Sequence, residues 1–392
     1  MEAFFKTHKY LVDHVHSPIE RYLMSEVDWS NRLIGIKGSR GVGKTTFLLQ
    51  YAKNNFDRND RSCLYINLNN LYFTTGSIID FANEFRHRGG KVLLIDQIFK
   101  YPEWSSELRY CYDRFHDLQI IFSGSSVMRL KEENPELSGR VESYNLRGFS
   151  FREYLNLMAK KNFVAYSLDD ILNRHEEIEQ EILAEIKPLA YFQDYLHHGY
   201  YPFFLEKRNF AENLLKTMNM MLEVDILLIR QMDLKCLNKM KKLLYLLLIH
   251  APHTPNISQL SNDISTSRAT VMNYIKYLKD ARLLNTLYHN GEDFPKKPAM
   301  VYTHNTNLMY PISAETIQRQ SLLETFIYNM LHKDYQINKG EKNTAFLVNG
   351  IHNLSVETDL PKKTDSDIFY IIDKVTGNEK NMIPAWLFGF LY

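Results

Sequence analysis

One glycine-rich octet, Gly38-Ser39-Arg40-Gly41-Val42-Gly43-Lys44-Thr45, carries residue types at a spacing suited to phosphate chemistry. It fits Gly-x-x-x-x-Gly-Lys-Ser/Thr without a gap. The glycines let the backbone turn until successive N–H groups converge on phosphate oxygens. Lys44 adds a positive charge near the terminal phosphates, and the Thr45 hydroxyl is a Mg²⁺ ligand of the usual type. Before the octet, Leu33-Ile34-Gly35-Ile36 reads as a buried strand. After it, Thr45 to Asn54 has helical spacing, with Phe47, Leu48 and Tyr51 on one side. A helix starting there points its positive end at the same anion. The expected phosphate cradle is therefore Gly38, Ser39, Arg40, Gly41, Val42, Gly43, Lys44, Thr45 and Thr46, holding ATP with Mg²⁺.

A second signal is Val92-Leu93-Leu94-Ile95-Asp96, an apolar run ending in a carboxylate, as in a Walker B strand. Such a strand delivers Asp96 to the sheet edge, where it joins Thr45 in holding the cation. The next residue is Gln97, where hydrolytic ATPases of this type usually carry Glu. An amide orients water but is a poor proton acceptor near neutral pH. Binding is expected to survive and hydrolysis to be slow. Gln97 is either native, marking a slow switch, or an engineered trap for ATP; both readings stay open. Ser123 and Ser125 follow a further apolar strand and are candidates to touch the γ-phosphate or the water, although serines after a strand are also ordinary turn formers. Arg140, Arg109 and Arg114 are candidates for an arginine finger acting across a subunit interface.

The elements that must position these groups alternate. Strand patterns at 33–37, 63–68, 91–96 and 118–124 are separated by helical patterns at 45–54, 78–86 and 103–115. That alternation predicts a three-layer α/β P-loop core with a parallel sheet. After Phe149 the chain turns largely helical, at 151–159, 168–186 and 210–249. Residues 257–287 read as helix, turn, helix and strand, a winged-helix pattern with Leu260, Ile264, Val271, Ile275 and Leu278 inside. If it binds DNA, Ser267, Arg268, Thr270, Asn273 and Lys276 face the groove or phosphates; if it is a packing module, they are simply solvated. The expected division is 1–150 core, 151–250 helical lid or linker, 251–312 winged helix, and 313–392 a small α+β domain.

Bulk composition narrows the classes. The 392 residues include 47 basic and 46 acidic ones, a net charge of +1, which argues against a general polyanion-binding coat. Cys63, Cys111 and Cys236 are far apart and lack metal-ligand spacing, fitting a reducing compartment. No signal-peptide pattern opens the sequence, and the longest apolar-rich stretch, Leu243 to Ile249, is too short for a bilayer. A cytoplasmic protein without membrane partners is expected.

Several stretches together resemble a prokaryotic family of AAA-type P-loop ATP-binding proteins, abundant in gut Bacteroidales. They are the octet with its flanks, Tyr101-Pro102-Glu103-Trp104, Phe122-Ser123-Gly124-Ser125-Ser126, Leu146 to Tyr154 with its Phe-Ser-Phe-Arg-Glu-Tyr element, Gly199-Tyr200-Tyr201-Pro202, and the terminal block Ile383 to Tyr392. The resemblance implies a winged helix and a C-terminal domain of unknown function similar in fold to PD-(D/E)xK nucleases. Such nucleases need an Asp and a Glu-x-Lys around a metal. The resemblance puts Asn349 at the Asp position, and Glu357 lacks a Lys two residues on, so a degenerate site is expected. The combined expectation is a nucleotide-dependent switch or motor, an ATPase acting on nucleic acid as a homo-oligomer. The alternative is a signalling or scaffold ATPase that binds protein through its winged helix and C-terminal domain.

Overall fold

Five short strands in the first 147 residues form one parallel sheet in the order β2-β3-β4-β1-β5. They are β1 (Leu33–Gly38), β2 (Cys63–Asn67), β3 (Val92–Asp96), β4 (Gln119–Ser125) and β5 (Glu142–Asn145). The computed structural model describes every residue except 58, 131, 207–208, 314–315, 342–343 and 374–380. Helices α1 (Glu2–His14), α2 (Leu23–Glu26), α3 (Lys44–Asn55), α4 (Ile78–His87) and α5 (Trp104–Arg114) complete this unit. The chain steps from β1 out to β2, then back through β3 to β4. Right-handed crossovers with that reversal put α3 on one face and α4 and α5 on the other. β3 is buried throughout, as a strand covered on both faces must be.

The three-layer parallel core predicted from the alternation is present. Strand β5 was not anticipated. Its sequence, Glu-Ser-Tyr-Asn, is polar and partly exposed because it lies at the sheet edge, so no apolar run announces it. Its pairing beside β1 is parallel, with Ile34 opposite Glu142 and Lys37 opposite Asn145.

A second compact unit spans Gly148–Tyr392. It opens with a helical region: α6 (Phe151–Ala159), α7 (Leu168–Glu185), α8 (Leu189–Asp194), α9 (Phe210–Met220), α10 (Leu227–Ile229) and α11 (Lys235–Leu248). Next come α12 (Ile257–Asp263), α13 (Arg268–Asp280) and the antiparallel pair β6 (Leu284–Leu287) and β7 (Met300–Thr303). The α+β end comprises α14 (Tyr310–Ser313), α15 (Arg319–Leu331) and a mixed sheet ordered β12-β11-β10-β9-β8. Those strands are β8 (Ile337–Lys339), β9 (Phe346–Val348), β10 (His352–Glu357), β11 (Ile368–Ile372) and β12 (Met382–Pro384).

The Phe-Ser-Phe-Arg-Glu-Tyr element and the terminal block meet in this unit. Ser150 and Glu153 form a reciprocal capping box at the start of α6. The Ser150 hydroxyl and the Arg152 guanidinium both donate to the Tyr392 carbonyl, at 2.6 and 3.0 Å. The terminal helical turn, Ala385–Phe390, is buried along its whole length. A side chain added at Gly389 would collide with Phe151.

Asn349 has a local structural role in this unit. It occupies the tight β9–β10 turn, at φ 52° beside Gly350 at φ 74°. Its side-chain oxygen accepts from the Gln336 N–H at 3.1 Å. Asn-Gly is the usual sequence for a turn with two positive φ angles. Glu357 is at the far end of β10, so the two residues cannot share a cation.

Candidate nucleotide site

The reversal in strand order opens a crevice at the carboxyl ends of β1, β3 and β4, the usual ligand position in open α/β sheets. The octet fills the turn between β1 and α3. Gly43 is the residue before α3 and sits at φ 95°, with Gly41 at 85°, conformations that side chains resist. Any side chain at Gly38 would collide with the Leu146 carbonyl, so that position also requires glycine. Lys44 turns back over the loop and donates to the Gly38 and Ser39 carbonyls at 2.9 and 2.8 Å. Ser39 and Val42 are buried, Thr45 is exposed, and Arg40 and Thr46 are half-buried.

Asp96, only 1% exposed, gathers five hydrogen bonds. Its Oδ2 accepts from Thr45 Oγ1 at 2.7 Å, the Tyr65 hydroxyl at 2.8 Å and Asn67 Nδ2 at 3.3 Å. Its Oδ1 accepts from the Ser123 hydroxyl and, at 3.0 Å, from the Gln97 N–H. Burial, and then the Asp96 charge, push the Tyr65 phenol far above its ordinary range, so it stays a donor. The threonine hydroxyl gives its one proton to Asp96, which leaves its lone pairs for a cation. A hydroxyl and a carboxylate in contact are a hard-oxygen pair of the kind Mg²⁺ takes.

Gln97 stands at φ 57°, ψ 47°, in the left-handed region that non-glycine residues seldom adopt. Its N–H is shared between Asp96 and Ser123 Oγ, and its side-chain oxygen accepts from Asn69 Nδ2 at 2.9 Å. Ser125, at the end of β4, is buried and accepts from the Val127 N–H at 3.3 Å. Arg140 forms a two-bond ion pair with Asp113, at 2.8 and 3.2 Å, and also donates to the Glu136 carbonyl. None of those partners belongs to the loop. Arg109 and Arg114 are exposed on α5.

Sequence reading missed four contributors: Arg21, Tyr65, Asn67 and Asn69. Arg21 is buried and donates to the Val42 carbonyl at 3.0 Å and the Arg147 carbonyl at 2.7 Å, tying the loop to the end of this unit. The other three, Tyr65, Asn67 and Asn69, recur every second residue from the end of β2 into the turn after it. Polar groups at that period in an otherwise apolar strand were the available signal. An open cleft of about 650 Å³, lined among others by Asn69, Phe73, Lys100, Glu103 and Glu107, adjoins them. Among the described residues, no group of three or more His, Cys, Asp or Glu is poised for a metal, and no helix is long and apolar enough to cross a membrane.

The sheet order, the phosphate loop and the Thr45–Asp96 pair define a P-loop nucleotide-binding core. Comparison with known proteins refines the class: residues 30–155 match the family described as an AAA domain. Residues 189–301 match a domain of unknown function, DUF8612. The uncharacterized protein MJ1637 of Methanocaldococcus jannaschii is 27% identical over 294 residues, which are 71% of this chain and 61% of that protein. The chain thus spans about three-fifths of the length of that curated relative. Among solved structures, a RuvB variant of Thermotoga maritima is 15% identical, covering 73% of this chain and 89% of its own, with a TM-score of 0.29. PCH-2 of C. elegans is 13% identical, covering 71% and 66%, with a TM-score of 0.26. Superposition that loose carries no functional information.

Proposed function

We propose that this chain is an ATP- and Mg²⁺-dependent switch whose hydrolysis is slowed by Gln97. The observation that carries this is the Asp96 network, with Thr45 on one side and Gln97 fixed on the other. The loop from Gly38 to Thr46 would hold the phosphates, with Thr45 and Asp96 holding the cation. Mg²⁺ would neutralise charge on the terminal phosphates. Lys44 supplies the loop's own cation, and Ser123 and Ser125 end the strand between Asp96 and the loop. Gln97 offers an amide where proton abstraction from water calls for a carboxylate. Isothermal titration with ATP and Mg²⁺ tests the binding; single-turnover phosphate release tests the slow step.

The client we favour is nucleic acid, engaged by a homo-oligomer in the cytoplasm, with Arg140, Arg109 or Arg114 as the trans-acting cation. Supporting this, α12 and α13 are joined by a turn with Ser265 at φ 50°, Ser267 caps α13, and Arg268 and Asn273 are exposed on it. Lys276 Nζ lies 4.6 Å from the centre of the Phe294 ring, a cation–π contact between α13 and the β6–β7 loop. In this reading 251–312 is a winged helix, 151–250 a linker region and 313–392 a nuclease-like domain without a working site. A second reading, a scaffold that binds protein, draws on Leu234 (74% exposed) and Tyr245 (55% exposed) around α11. Anisotropy with labelled duplex DNA decides between them. Binding that weakens steeply with salt supports the first.

A further inference from the structure

Two residues of β2 that no motif covers stand on the carboxylate expected to hold the cation. The β2–β3 register pairs Asn67 with Asp96 and Tyr65 with Leu94, so both side chains share a sheet face with Asp96. Tyr65 is 4% exposed and its hydroxyl lies 2.8 Å from Oδ2; Asn67 reaches the same oxygen at 3.3 Å. The amide of Asn67 is oriented by its own oxygen, which accepts the Asn69 N–H at 2.8 Å. Oδ2 is also the atom that takes the Thr45 proton.

We propose that Tyr65, seconded by Asn67, is a positioning residue for the cation: it holds the Asp96 carboxylate turned toward Thr45. A carboxylate can rotate about its last torsion, whose preferences are broad. Ser123 and the Gln97 N–H fix one oxygen from β4 and from the chain beyond β3, and Tyr65 and Asn67 fix the other from β2. With both oxygens fixed, the Thr45 hydroxyl has one place to send its proton, and its lone pairs point away from Asp96. Removing the phenol oxygen loosens one side of that grip. It leaves the phosphate loop and the ring packing of Tyr65 intact.

This rests on the nucleotide-site reading, and the test separates the two. A fluorescent ATP analogue is titrated into wild-type protein, Tyr65→Phe and Asn67→Ala, first in EDTA and then across a Mg²⁺ series. In EDTA the three proteins should agree within about twofold, because the phosphate contacts are untouched. The Mg²⁺ concentration giving half of the affinity gain should rise at least about threefold in Tyr65→Phe, and less in Asn67→Ala, whose bond is longer. Melting temperatures guard against a merely structural effect. An unchanged or lower Mg²⁺ half-point in Tyr65→Phe overturns the proposal, as does an equal loss with and without Mg²⁺. Wild-type protein that binds no nucleotide overturns the site reading and the proposal together. Should Tyr65→Phe fold poorly, Asn67→Ala decides by the same criterion.

Discussion

Gln97 combines a costly backbone with a neutral side chain. Holding a non-glycine residue in the left-handed region costs about 1–2 kcal/mol, and Asp96, Ser123 and Asn69 together secure it. Gln97→Glu keeps that backbone and supplies a carboxylate. We predict that single-turnover phosphate release then speeds by at least about tenfold, a floor below the usual effect of a positioned base. Equal rates would remove Gln97 from the catalytic position. Lys44→Ala should nearly abolish ATP affinity in calorimetry while leaving the melting curve in place. Glu179, on α7, is buried with one oxygen unpartnered. Burial first, then the nearby Glu176, raises its carboxyl from 4.5 to about 7. The folded state therefore holds a proton that the unfolded chain has already lost. Stability from this group is intact below about 4.5, falls as pH rises, and is gone above about 7. Urea titration should find Glu179→Gln more stable than wild type at pH 8 by on the order of 1–3 kcal/mol, and no different near pH 4. The octet was legible because its residues are contiguous. The carboxylate's other partners were not, because they come from separate strands and only the register unites them.

Elements position these groups through joints between main chain and side chain. Arg21 follows α1 and precedes α2, in a stretch with no motif, yet one of its bonds fastens the Val42 carbonyl inside the loop and the other the Arg147 carbonyl. We predict that Arg21→Met lowers stability by about 1–3 kcal/mol, because two buried carbonyls lose a charged donor. Chemical denaturation measures this, and a loss under 0.5 kcal/mol, roughly the size of an ordinary surface change, would refute it. Glu107 makes a similar joint. It accepts the Ile78 and Ile79 N–H groups at the start of α4, at 2.7 and 3.1 Å, and the Tyr101 hydroxyl at 2.8 Å. That joint gives Tyr101, the first residue of Tyr-Pro-Glu-Trp, a structural purpose. Helix and strand positions in the core were legible because apolar runs must be buried on both sheet faces. The β5 edge and the Asn349 turn were not, since neither is governed by burial.

Across the whole molecule, the proposed function would divide the work, with phosphate chemistry in the first unit and client surfaces in the second. If nucleic acid is that client, Arg268→Ala with Asn273→Ala should weaken duplex binding and flatten its salt dependence, leaving ATP affinity unchanged. Anisotropy at several salt concentrations checks this. The two most specific stretches of sequence outside the loop turn out to be one contact: Ser150 and Arg152 grip the carbonyl of Tyr392 across 242 and 240 positions. That separation has a kinetic meaning. Residues 1–147 form a compact unit of their own, and domains of that kind generally fold as units in order of synthesis. The second unit cannot finish its core until Trp386, Phe388 and Phe390 have left the ribosome, and it must close a very long loop to do so. Between those two moments the second unit's apolar core is incomplete, and transiently exposed apolar surface of that kind is prone to aggregation.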